Sequence, residues 1–243
     1  MRRRANLVFW LLAGLVVLVL LARSTSADAP TTRPELASAH DAGSPRVVDY
    51  VHRNLSGRNL ERENLAEADF TGANLDRTNL TRAILTDADF TDARMGRALL
   101  VRANAVGATF QSADLVGAQM VRAELSQTNF TNAKLRDTVM VGATLVSAIL
   151  VQADLANTNA DTAVLRGARL IGADLSGATL TNVDLRGAEA SKANLQRASL
   201  VGANLSGANF DGADMRRVKL DGAIWDAYTR WPVGFDPAHP DKG

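Results

Sequence analysis

Residues 53–227 repeat one five-residue pattern thirty-five times with no insertion or deletion. Every residue whose number is a multiple of five is apolar: from Leu55 to Trp225 these keystones are twenty-two Leu, five Phe, four Met, three Ala and one Trp. Two residues earlier the side chain is small, with Ala, Thr or Val at all thirty-two such positions from Ala68 to Ala223. Asn or Asp is the commonest residue between them, as in Ala73-Asn74-Leu75 and Ala203-Asn204-Leu205. A period of five suits neither ordinary helix nor strand. At about 100° per residue the keystones would step by about 140° and ring a helix. On a strand, where alternation has period two, each keystone would fall on the face opposite the last. The pattern is satisfied if each pentad is a short extended piece, small residue and keystone inward, followed by a corner. The chain then coils around its own side chains, and the other three positions of each pentad face solvent.

The phenylalanines give the number of pentads per coil, because equivalent positions stack in a solenoid. Phe70, Phe90, Phe110 and Phe130 are spaced by twenty, and Phe210 falls in the same column. Four pentads therefore close a square coil, and thirty-five make nearly nine coils, a rod roughly 40 Å tall at the ~4.8 Å spacing of paired strands. Each buried Leu or Phe keystone stabilises it by roughly 1.5 to 3 kcal/mol. All six prolines lie outside residues 46–231, as a ladder paired on both sides requires.

This A(D/N)Lxx sentence, carried from Ala68 to Trp225, resembles that of the pentapeptide-repeat proteins. The resemblance implies an all-β fold, a right-handed quadrilateral β-helix of about nine coils over residues 47–228. The ending from Thr229 to Pro237, including Trp231-Pro232 and Gly234-Phe235-Asp236-Pro237, also resembles that of many members. Most members have no known activity, so the resemblance implies a structural or interaction role. Its best-known members inhibit DNA gyrase by mimicking duplex DNA. Mimicry needs a strongly acidic surface, whereas residues 51–225 hold nineteen Lys plus Arg against nineteen Asp plus Glu. A neutral rod also lacks the basic field of a nucleic-acid binder.

The ends carry different signals. Arg2, Arg3 and Arg4 precede an uncharged apolar run over residues 5–22. Eighteen residues span about 27 Å as a helix, close to a bilayer core and longer than the apolar part of a cleavable signal. Residues 1–23 therefore read as a transmembrane or signal helix. An uncleaved anchor is favoured because Pro30 directly follows the small-x-small site Ala27-Asp28-Ala29. The positive-inside rule then implies a single-pass inner-membrane protein with a cytoplasmic N-terminus and an extracytoplasmic repeat domain. Secretion into the periplasm after cleavage is the alternative. Residues 24–46, rich in Ser, Thr, Ala and Pro, read as a flexible tether. Val47, Val48, Tyr50 and Val51 are expected to cap the first coil. Residues 229–243, with Trp231 and Phe235 and the preceding Tyr228, are expected to lid the last.

Catalytic constellations are scarce. The histidines, His40, His52 and His239, all lie outside the regular coils, and there is no cysteine, so no catalytic residue, cofactor or metal is expected. Outward columns are more informative. Arg62, Arg82, Arg102 and Arg122 are spaced by twenty and should form a ladder on one corner, with Glu61 and Glu63 relieving its bottom rung. Arg77 and Arg97 occupy the opposite corner of the same face. Between them lie outward Leu99, Val101, Val121, Val139 and Val141, an apolar strip rimmed by arginine that suits an acidic or amphipathic protein partner. Its alternative is a solvated corner with valines tolerated on a sheet. On the far side gather Glu67, Asp69, Asp87, Asp89 and Asp92, read as solvated surface ahead of a Ca²⁺ site or an enzyme acting on an envelope polymer. Two surfaces offer a homodimer: the C-terminal end, with Trp225, Tyr228 and Trp231, as some relatives pair, or the lateral Val139, Val141, Ile149, Val151 and Ile171. The favoured function is a non-catalytic structural or interaction module. The inward assignment predicts that Leu155→Asp abolishes cooperative melting of the middle coils while Gln152→Ala changes little; equal melting curves for the two variants would contradict it.

Overall fold

One residue per pentad does the pairing. The computed structural model describes residues 48–240, and in it residue i bridges residue i+20 in parallel register. The bridges start with Asp49 to Asp69, Asn54 to Asn74 and Asn59 to Asn79 and run unbroken to Asn204 with Ile224. Four pentads thus close each coil of a quadrilateral β-helix, and the bridges from Asp49 up to Arg230 mark nine coils. The sides carry isolated bridges rather than strands of several residues, because the residues around each bridge are committed to corners. Tyr50, Phe70, Phe90, Phe110 and Phe130 stack in one column with ring centroids 4.7–4.8 Å apart and planes within 2–11°.

The pentad pattern follows from where its amide protons go, since a buried N–H without a partner is costly. The keystone donates to the carbonyl nineteen residues on, as Leu155 N–H does to Asp174 at 2.7 Å. The second corner residue does the same, as Arg82 does to Val101 at 2.9 Å. The bridged residue donates twenty-one residues back, Asn74 to Arg53 at 2.9 Å, and the small residue donates across its corner, Ala83 to Leu80 at 3.0 Å. Only the first corner N–H is left over. Every Asn or Asp at the bridged position from Asp49 to Asp214 accepts it through Oδ1. The outward polar residue is therefore more than a solvent-facing choice, because its side chain completes the turn. Where Arg94 replaces it, Asp76 from the coil below reaches up and caps Gly96 N–H at 2.9 Å.

Each corner joins a keystone carbonyl to the N–H three residues later, and its second residue is left-handed, with φ between 54° and 74° at every such position from His52 to Gly222. A type II turn demands that conformation, which glycine adopts freely. Glycine fills only some of these corners; the ladder holds Arg, Asp, Asn, Gln and Ser in the same geometry elsewhere. Inside, keystones and alanines are almost wholly buried along the rod. Threonine substitutes for alanine where its hydroxyl can bond a keystone carbonyl: Thr138 and Thr158 both donate to Leu135, at 2.7 and 2.9 Å.

The two ends depart from the expected caps. In the first coil the small positions are occupied by Arg53, Arg58 and Glu63, and Tyr50, Leu55 and Leu60 are only partly buried. Val48 is 40% exposed, so the aromatic Tyr50, stacked under Phe70, is the apolar floor rather than a valine cap. Charged residues along this open edge oppose edge-to-edge pairing. At the other end the register slips by one residue, Asn209 bridging Arg230, which puts Trp231 over Phe210 at 5.4 Å. Thr229 is buried, and Trp231 and Phe235 pack against the core, but Tyr228 is 82% exposed and takes no part in the lid. Residues 1–47, with the anchor and tether readings and Val47, lie outside the described residues, as do residues 241–243.

Asp226 splices the slipped register. Its Oδ1 accepts from Gly207, Tyr228 and Thr229 N–H at 2.9–3.1 Å and from the Thr229 hydroxyl at 3.2 Å. Desolvation pushes the Asp226 carboxyl up, but these hydrogen bonds outweigh it and hold it below the ordinary carboxylate value. Its contribution is present above the unfolded pKa and is lost as pH falls through the depressed folded value. We expect acid to release the lid first, read as a change in Trp225 and Trp231 fluorescence before the coils melt. In Asp226→Asn that early step should vanish; a persisting acid step would assign it to another group.

Candidate functional site

The square section gives four faces, numbered here by their bridged columns. Face 1 starts at Asp49, face 2 at Asn54, face 3 at Asn59 and face 4 at Asn64. The corners are the left-handed columns that begin at His52, Gly57, Arg62 and Glu67. Faces 1 and 3 are opposite sides of the rod.

The arginine ladder is assembled as the spacing predicts. Arg62, Arg82, Arg102 and Arg122 each donate a backbone N–H to the coil above at 2.9–3.0 Å, so they stand on successive rungs of the corner between faces 3 and 4. All four are exposed and all sit in the left-handed conformation, which costs a non-glycine residue about 1–2 kcal/mol. Arg62 pairs with Glu61 at 3.6 Å. Glu63 lies instead near Tyr50, whose hydroxyl is pushed up by burial and then by that charge. Among the described residues no acidic side chain is within ion-pair distance of Arg82, Arg102 or Arg122, nor of Arg77 or Arg97 on the other corner of face 3. Val101, Val121 and Val141 stack as first corner residues beside the ladder, and Leu99 and Val139 point outward from the middle of the face, all half-buried. Asp161, one rung above Val141, ends the strip with an Oδ1 that is buried without a partner. Arg77 and Arg97 line an open concavity of about 540 Å³ with Ser56, Gly57, Gly96 and Val116.

Face 1 carries the opposite charge. Asp49, Asp69 and Asp89 stack in its bridged column, Glu67 and Asp87 stand on one corner and Asp92 on the other. Asp69 is held below the usual carboxylate range by the Thr71 hydroxyl and N–H, against the opposing effect of desolvation. None of these acids is ion-paired among the described residues, and no three potential ligands come together there to hold a metal. The fold does pair charges elsewhere. Along face 2, Arg94 meets Asp76 at 3.1 Å, Lys134 meets Asp114 at 3.8 Å and Arg136 meets Asp154 at 2.9 Å. Flanking face 4, Asp184 takes both Arg166 and Arg186. In the lower coils faces 1 and 3 are the exceptions, sorted by sign apart from Glu61 and Asp76 at the corners of face 3. Sequence columns reveal each cluster separately, but the contrast with faces 2 and 4 needs the side-chain geometry. Of the histidines, His239 pairs with Asp236 at 2.8 Å in the tail, and His52 occupies the corner beneath Gly72.

Comparison with known proteins agrees with this architecture. The sequence model of pentapeptide repeats matches in eight copies, over residues 54–87, 88–127, 123–159, 148–187 and 191–224. Among solved structures, HetL of the cyanobacterium Nostoc sp. strain PCC 7120, a pentapeptide-repeat protein involved in heterocyst differentiation regulation, is 28% identical. That match covers 73% of this chain and 86% of HetL, with a TM-score of 0.45. Rfr23 of Cyanothece 51142 is 35% identical over 40% of this chain and 65% of its own, TM-score 0.39. QnrB1, a plasmid-mediated fluoroquinolone resistance protein, is 18% identical over 72% and 90%, TM-score 0.34. A comparison with curated proteins finds no match. With the repeat matched across most of its length and built as a β-helix of twenty-residue coils, this chain belongs to the pentapeptide-repeat family, whose coil is right-handed.

Proposed function

We propose that the chain is a non-catalytic interaction module, a rigid rod whose arginine-rimmed face 3 docks an acidic or amphipathic protein partner. The observation that carries this reading is that Arg82, Arg102 and Arg122 stand in a row without counter-charge on a fold that neutralises charge on its neighbouring faces. Stacked like charges repel in the free rod, and a partner's carboxylates relieve them. The valine strip between the two corners adds apolar area that a bare polyanion would leave uncovered. Because the coil fixes the backbone at the 4.7–4.8 Å rung spacing seen in the aromatic column, no backbone ordering is needed on binding. Equal numbers of acidic and basic residues over 51–225 support this reading over a duplex-DNA mimic.

In this reading the rod is presented from a membrane into the extracytoplasmic space. The support is the apolar run over residues 5–22 behind three arginines, in a segment outside the described residues. Among the described residues no helix is long and apolar enough to cross a membrane.

Immobilised full-length chain in mild detergent, exposed to envelope extract, tests the proposal against a variant with Arg82→Glu, Arg102→Glu and Arg122→Glu. The expected result is a partner retained by the parent, lost by the equally stable variant and eluted by salt. Identical recoveries would return the ladder to a solvated corner.

A further inference from the structure

Faces 1 and 3 are complementary to each other, and we infer that the acidic partner of face 3 is face 1 of a second copy of this chain. The inference rests on the reading that face 3 is a docking face, and it adds the identity of what docks there. Three observations carry it. In the lower coils the charges on each face are mostly of one sign, and apart from Arg62 with Glu61 they are not ion-paired, whereas the adjoining faces pair their own. Both charged sets occupy the same lower coils, and their rung spacing is identical because it is set by one coil. Above the charges both faces become apolar at the same height: Val139 and Val141 on face 3 and its corner, Ile149 and Val151 on face 1 and its corner, are half a coil apart along the chain and half-buried.

Opposite sides of a square meet when one copy is translated sideways onto the next, rods parallel. That movement brings the Arg62, Arg82, Arg102 column against the Glu67, Asp87 column, since both corners flank face 4. It brings Arg77 and Arg97 toward Asp92, since both of those corners flank face 2. Val139 then meets Ile149. The contact joins two different faces, so the pair keeps one free face of each kind, face 1 on one copy and face 3 on the other. Association of this heterologous type does not close into a dimer but extends into a row.

The chain has no cysteine, so introduced thiols report the contact directly. Full-length protein carrying both Arg82→Cys and Asp87→Cys, mildly oxidised, should give a ladder of dimers, trimers and larger species. An equimolar mixture of the two single variants should stop at dimers, and either single variant alone should stay unlinked. The ladder should disappear at about 1 M salt, where screening acts within roughly 3 Å. Arg82→Cys linking to itself would overturn the inference by making the contact face 3 on face 3. No crosslink in the double variant, with melting unchanged, would also overturn it. In that case, continued arginine-dependent capture of a different envelope protein leaves the docking reading standing, while loss of both removes the two together.

Discussion

Each pentad has five amide protons to satisfy, and the architecture depends on how they are shared out. Three go to neighbouring coils, one crosses the corner, and the fifth is taken by an Asn or Asp side chain wherever one stands at the bridged position. This allocation fixes the period. A sixth residue would need another acceptor, and the single place where one residue is inserted, after Trp225, is also where the Asp226 carboxylate supplies several acceptor contacts at once. Burial of keystones gives the rod its stability, and it tolerates swaps among Leu, Met and Phe of similar volume. The hydrogen-bond ladder is what holds thirty-five pentads in step.

The same regularity turns a sequence column into a physical surface. Any property repeated at intervals of twenty becomes a line of side chains at the rung spacing, whether it is the aromatic stack inside or the arginine ladder outside. The fold leaves the outward positions free to vary, so the sorting of acids to face 1 and arginines to face 3 is not imposed by stability. Mixing the signs, as face 2 does through Lys134 and Asp114 or Arg136 and Asp154, would leave the rod less strained electrostatically. A surface that keeps its charges apart is suited to meeting a complementary one.

The period, the inward pair of each pentad and the four-pentad coil were legible because they are written in apolar residues at fixed spacing. So were the columns of Arg62, Arg82, Arg102 and Arg122. The capping role of the bridged Asn and Asp was not, although their frequency at that position was its signal: Asx side chains commonly bond the amide two residues on. Glycine at some corners hinted at the left-handed conformation, but its extension to Arg82 or Asp87 comes from the ladder, which overrides local preference. The slip at Asp226 leaves no gap in the sequence, and only Thr229 in a small-residue position two before Trp231 hints at the new register. The aromatic character of Tyr228 suggests a place in the lid, but it stands one residue before Thr229, on the outside.

Amide hydrogen exchange along the rod tests the account most directly, because it follows the ladder itself. Protection should repeat every five residues in the middle coils. Keystones such as Leu135 and second-corner residues such as Arg122 should be slowest. First-corner amides should divide, with Thr71, Thr91 and Thr131 protected by the Asp or Asn two residues before, and Val101, Val141 and Val151, which follow Leu99, Val139 and Ile149, exchanging faster. Protection that alternates every two residues, or that treats the two sets of first-corner amides alike, would contradict it.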